Sequence, residues 1–463
     1  MAAFLLMLHV LNLKALALMS TGRTLTKNFG ALSVIQVANF FIPFITLPFI
    51  VRVIGPDKFG LLNFLIAVTT YFILFINYGF DYTATRTVAQ NNKNHALINE
   101  TFSVIFFARL LLFVISAIVF VIILFAIPQL RQNIAVSIFC FAACFANVFF
   151  PNWLFQGMQQ LQKAAVFNLV AKLIFCASIV IIIRHKEDYW WYAVISSLSQ
   201  IIAAVILFIY AMRRFNLRLQ KIPFTAIKET LYKDRMVFVS TLMINLYTTS
   251  NTVLLGFLKA ETEVGIFTAA ARIIAVVQTL ALMPISQTLF PHIGSAFSKS
   301  RSDGLQEIKK VFPIVVFFTF SLSVLLFVFA PFVMHVLFGK AFSDSVTVLR
   351  ILAFNPLIVC ISNLLGTQTM LNMKMDKQYF RITCIGAVIN LALNLLLTPL
   401  FSYEGTAIAW TATELCIVFI MAILLTRKQI SVIDRNLFSW KYLSKINRHL
   451  FEIFGNKLKL FKH

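Results

Sequence analysis

Uninterrupted apolar runs of membrane-spanning length dominate this sequence; VIFFARLLLFVISAIVFVIILFAI (residues 104–127) is one of them. An α-helix needs about 20 apolar residues to cross about 30 Å of hydrocarbon. Only helices and closed barrels satisfy their own backbone in that medium. The runs lack the period-2 alternation of barrel strands, so the fold class is an all-α polytopic membrane protein. Composition agrees, since 60% of the 463 residues are apolar and only 12% are charged. The formal net charge of +23 would suggest nucleic acid in a soluble protein. Here it reflects the gathering of Lys and Arg on the cytoplasmic side of a bilayer, and no nucleic-acid partner is expected.

Apolar runs bounded by polar clusters predict about 12 transmembrane helices. Six fall in an N-lobe (30–211) and six in a C-lobe (237–426), joined by a basic cytoplasmic linker (212–236). A cytoplasmic segment (1–29) precedes them and a basic cytoplasmic tail (427–463) follows. Residues 1–18 read as a start-site extension or a surface-lying helix ahead of Met19. The linker carries seven and the tail nine of the 40 Lys and Arg, which places both termini inside the cell. The outer loops are short and leave no room for an external catalytic domain.

The halves echo one another. IGPDKFGLLNF (54–64) corresponds to LKAETEVGIFTAA (258–270), with Gly60 matching Gly265; TRTVAQNNKNHALINE (85–100) corresponds to PHIGSAFSKSRSDGLQEI (291–308). Because each half has an even number of spans, the repeat implies a pseudo-two-fold axis along the membrane normal. Transporters built this way hold substrate between the repeats.

Charged residues at span depth are costly and mark function by default. Arg109, Lys172, Arg272 and Arg350 lie within predicted spans, and Thr268 shares the Arg272 helix face. Glu414 is the carboxylate deepest in a span and, with Asp81 at the end of the second helix, is the ion-coupling candidate. Neutral polar stripes include Gln36 and Asn39 in the first helix and Asn245 in the seventh; such residues also bind helices together. The excess of cations favours an anionic, phosphate-bearing cargo. The six cysteines lie within apolar runs without companion ligands and read as small hydrophobes, so neither a metal nor another cofactor is expected beyond a coupling ion, H+ or Na+.

Three stretches resemble the Wzx-type polysaccharide-unit flippases of the multidrug/oligosaccharidyl-lipid/polysaccharide exporter superfamily. They are GPDKFGLLNFLIAVTTYFILFINYGFDYTATR (55–86), PNWLFQGMQQLQKAAVFNLVAKLI (151–174) and GTQTMLNMKMDKQYFRITCIGAVINLALNLLLTPLFSYEGTAIAW (366–410). The resemblance implies translocation of undecaprenyl-pyrophosphate-linked oligosaccharide for O-antigen, capsule or exopolysaccharide assembly, beside membrane lipids and polymerase or ligase machinery. It also implies a cationic cavity, to which Arg52, Arg86, Lys172 and Arg272 are the candidate contributors. Gln159 stands where the family's acidic residue follows the FQGM sequence. The competing readings are a drug/cation antiporter of the same superfamily, a membrane polymerase or ligase, and a passive scramblase.

Overall fold

The computed structural model describes residues 23–284 and 289–432, with side chains from Thr46 onward apart from a few positions. The 1–18 segment, most of the 427–463 tail and the side chains of Gln36 and Asn39 lie outside the described residues. Within them the chain is helical, without strands. The N-terminal half comprises α1 (Arg23–Asn77), α2 (Phe80–Gln90), α3 (His95–Ala126), α4 (Pro128–Gln132), α5 (Ile134–Phe149), α6 (Asn152–Gly157), α7 (Leu161–Ile182) and α8 (Tyr189–Arg214). The C-terminal half comprises α9 (Phe224–Leu258), α10 (Glu261–Pro284), α11 (Phe290–Lys299), α12 (Arg301–Phe338), α13 (Ser345–Leu352), α14 (Asn355–Asn363) and α15 (Asp376–Arg427). A π-helical turn, Leu364–Leu371, follows α14.

Nine stretches among the described residues are long and apolar enough to cross a membrane. Two of these fold back on themselves. α1 breaks at Gly55 (φ 75°, ψ 173°) and α15 at Ser402 (φ 50°, ψ −132°), so each supplies two arms. The 212–236 segment is a loop only in part: α8 runs to Arg214 and α9 starts at Phe224.

The repeat is visible in helix geometry. In each half a short helix, α2 or α11, lies between two long ones, and a polar side chain caps the helix after it. Asn94 accepts from Leu97 N (3.1 Å) at α3, and Ser300 accepts from Asp303 N (3.0 Å) at α12. Helix exits repeat as well. Gln159 (φ 56°) and Lys374 (φ 58°) are left-handed, and the amide of each following residue reaches the carbonyl five residues back at 2.8 Å. Asn216 (φ 50°) and Gln429 (φ 55°) end α8 and α15 in the same way, with 2.9 Å bonds. These are the 6→1 bonds that close a helix through a left-handed residue.

Lipid supplies no hydrophobic drive between helices, so packing and polar bonds must hold each half together. The N-terminal half interlocks aromatic rings: Phe120 stacks on Phe141 (4.2 Å between centroids), and Phe72 meets Phe141 edge-on (5.3 Å). The C-terminal half uses a buried amide ladder instead. Asn251 accepts from Asn390 (3.2 Å) and Asn394 (2.8 Å), while Ser250 donates to Asn390 (3.1 Å). Large apolar side chains such as Ile122, Val388 and Leu396 are left on the outside, where acyl chains would cover them.

The charges at the mouth of the second span are explained here. Arg109, 2% exposed, pairs with Asp81 at 2.9 Å. It also donates to the Asn147 and Phe150 carbonyls at 3.1 and 2.8 Å. One guanidinium thus ties α3 to the start of α2 and the end of α5. Arg109→Ala is expected to cost about 3 kcal/mol of stability, the lower end for a broken buried pair. Asp81→Asn should cost about 1 kcal/mol, because Asp81 is partly solvated. Thermal unfolding in detergent measures both, and equal small shifts would show that the pair does not anchor α2.

Candidate functional site

The second arm of α1 and the first turns of α10 start side by side, one from each half. At their crossing Gly60 meets Gly265 through backbone alone. A Cβ on Gly60 would lie 1.7 Å from the Glu261 carbonyl oxygen, and one on Gly265 would lie 2.0 Å from that of Pro56. No residue but glycine fits either position without parting the helices. This is the Gly60–Gly265 match of the sequence repeat, brought into contact.

Arg272 lies seven residues beyond Gly265, about 10 Å farther along α10. It is exposed, and its guanidinium reaches across the lobe boundary to the Asn63 side-chain oxygen at 3.2 Å. Asn63 is buried and donates its amide to the Phe59 carbonyl (2.7 Å), which fixes the oxygen toward Arg272. Tyr192 of α8 lies in the electrostatic reach of both Arg272 and Cys176 of α7. Cys176 in turn contacts Thr46 of the first arm of α1 (3.5 Å) and lies near Lys172. Arg272 and Lys172 are therefore linked through Tyr192 and Cys176 at one boundary zone built from α1, α7, α8 and α10. No carboxylate pairs with Arg272 among the described residues; the pairs they form are Arg109–Asp81, Lys186–Asp57 and Lys310–Glu307.

Other sequence candidates stand elsewhere. Thr268 is buried and bonds the Val264 carbonyl of its own helix (2.7 Å), and Asn245 likewise bonds Thr241 (2.9 Å). Arg86 is exposed on α2. Arg52 holds two carbonyls at the end of α12, those of His335 and Val336. Glu414 is 5% exposed inside the C-terminal half, with no Lys or Arg paired to it among the described residues. Asp81 is engaged by Arg109. Neither Asn63 nor Tyr192 stands out in the sequence. The available signal was the glycine match, which sets Asn63 opposite the α10 turns that carry Arg272.

The lobes also meet along α9. Phe64 packs on Phe257 (5.3 Å between rings), Tyr78 stacks on Phe238 (4.5 Å), and Thr83 donates to the Asp234 carboxylate (2.7 Å). Burial pushes the Asp234 carboxyl above its ordinary value, opposed by the Thr83 hydrogen bond and Lys233. The folded state therefore binds this proton more tightly than the unfolded chain. Folding gains stability as pH falls through the raised value and loses it above. Asp234→Asn keeps an oxygen for Thr83 and removes the ionisation penalty. It should melt above the parent protein at pH 8, with the gap closing toward pH 4; a pH-independent gap would contradict this.

A family model described as polysaccharide biosynthesis protein matches residues 25–297. A relative from Escherichia coli strain K12, named "Putative O-antigen transporter", is 29% identical over 405 residues, spanning 87% of this chain and 97% of its own length. One of the same name from Shigella dysenteriae is 26% identical over 405 residues, covering 85% and 98%. Among solved structures, the lipid II flippase MurJ in an inward closed conformation superposes with a TM-score of 0.70 at 12% identity, covering 92% of each chain. An inward-facing multidrug resistance transporter of the MATE family gives 0.63 at 14% identity, covering 85% of this chain and 94% of its own. These two likenesses show that the chain shares the helical fold of both proteins.

Proposed function

We propose, from the premise that this chain belongs to the polysaccharide biosynthesis protein family, that it flips lipid-linked oligosaccharide units across the bacterial inner membrane. The cargo is an oligosaccharide on undecaprenyl pyrophosphate, and the two lobes give it access to one face at a time. The relatives bear the names of transporters and flippases, and the chain is a transporter, not an enzyme. The Lys/Arg-rich loops lie in the cytoplasm under this reading, with both termini there. Polymerase or ligase machinery takes the flipped unit on the other side.

One observation carries the proposal: an exposed guanidinium at span depth, on the boundary between the lobes, answered among the described residues by a neutral amide and by no carboxylate. A charge so placed is expensive unless something pairs with it, and a diphosphate matches a guanidinium with two parallel hydrogen bonds. The sign of that charge disfavours cationic drugs. In the cycle, Arg272 takes the pyrophosphate and Asn63 releases the guanidinium as it turns to the anion. Tyr192 lies on the sugar's side of the zone, and the prenyl chain stays in lipid.

Arg272→Ala should lower flipping at least about tenfold, the weight of one hydrogen bond to a charged group, with normal expression. Arg272→Lys should keep part of the activity. Complementation of a flippase-null strain reads this, and full activity of the alanine variant would remove Arg272 from the mechanism.

Coupling is assigned to Glu414 rather than Asp81, because Arg109 already neutralises Asp81. Glu414 is buried inside the C-terminal half, and in this reading it exchanges a proton when the lobe opens it to water. Glu414→Gln should flatten the pH dependence of transport in vesicles. An unchanged pH profile would discard Glu414 and direct attention to Na+.

A further inference from the structure

At the end of the molecule opposite the Lys/Arg-rich loops, α1 of the first half touches the second half in three ways. The glycine crossing joins α1 to α10 through backbone. Phe59, the residue before Gly60, inserts edge-on against Phe342 (6.1 Å between centroids) and Phe338 (6.5 Å), closing an aromatic cluster at the end of α12. Arg52, at the end of the first arm of α1, lays its guanidinium on the His335 and Val336 carbonyls.

Those carbonyls belong to the last turn of α12. The chain leaves that helix at Gly339 (φ 83°), whose amide serves the Met334 and His335 oxygens at 3.2 and 3.1 Å. The Val336 carbonyl is one of the groups a helix end leaves without a partner inside the helix. A cation there also meets the negative end of the helix dipole. Arg52 supplies both the missing donor and the charge, from the other lobe. Its side chain is exposed, so the bond can be broken and remade without burying an unpaired charge.

We propose that Arg52, Phe59 and the Gly60–Gly265 crossing form a latch between the lobes, and that Arg52 is a positioning residue which selects the face to which the boundary zone opens. Arg52 acts on the conformational equilibrium and not on the cargo. Its place is the α12 terminus, whereas Arg272 lies two turns below the glycine crossing. The latch parts have graded strengths. The glycine crossing sets how closely the lobes meet, the rings keep water out, and Arg52 holds the meeting through an exposed bond that a modest force can release. The inference rests on the transport reading only for its purpose; the latch itself is a statement about which face is closed.

The test uses the full-length protein in membranes of known sidedness. Asn63→Cys places a thiol just beneath the crossing, and an impermeant maleimide is applied to the face opposite the basic loops. The parent protein, whose cysteines sit within helices, supplies the background labelling. With Arg52 intact the Asn63→Cys thiol should label slowly. Adding Arg52→Ala should raise the rate several-fold and Arg52→Lys should raise it less, since an ammonium still donates to the carbonyls. Phe59→Ala, a second variant that leaves Arg52 in place, should raise it as well. Flipping is measured separately in the single Arg52 variants. Unchanged labelling in both Arg52→Ala and Phe59→Ala would overturn the latch. Unchanged labelling with lost flipping in Arg52→Ala would assign Arg52 to the cargo instead. Because labelling does not depend on what is carried, a failed latch and a failed cargo assignment give different results.

Discussion

Hydrocarbon gives helices no reason to leave it, so everything that joins the two lobes must be made from close packing or from polar groups that find each other. This protein uses both, and it separates them by location. Inside each lobe the joints are dense: interlocked phenylalanines in the first half, a fully buried amide ladder in the second. Between the lobes the backbones and rings also pack closely, but the polar joints, at Arg52 and Arg272, are exposed. Exposed polar joints of this kind break and re-form against water without stranding a buried charge, which the buried amide ladder does not allow.

The same constraint separates the cations into classes. Arg109 is surrounded by acceptors, a carboxylate and two carbonyls, and is spent on structure. Arg52 meets carbonyls at a helix end. Arg272 meets one neutral amide oxygen at span depth, which leaves most of its guanidinium donors to a ligand. Charge at depth is therefore not a sufficient mark of a binding site. What distinguishes Arg272 is how little the protein itself does to answer it.

Much of the architecture was legible because apolar length and repeat offset are one-dimensional properties. The helical membrane class, the two halves and the Gly60–Gly265 match follow from counting along the chain. Partner choice was not legible, because it depends on how helices rotate against one another. Asp81 read as an ion-coupling candidate and is held by a cation 28 residues away; Arg52 read as a cavity residue and reaches a helix end 284 residues on. Asn63 gave no sign of being the amide opposite Arg272. The left-handed helix exits at Gln159, Lys374, Asn216 and Gln429 were hidden for a different reason. None of the four is glycine, so the usual signature of that turn was missing from the sequence.

The glycine crossing has a consequence for kinetics. Where two peptide backbones meet with nothing between them, parting requires no rotamer to change and no cavity to be refilled at that point. The pace of opening is left to the neighbouring side chains, the Phe59 rings and the Arg52 bond, rather than to the crossing itself. A single added methyl group would replace that free-sliding joint with a wedge.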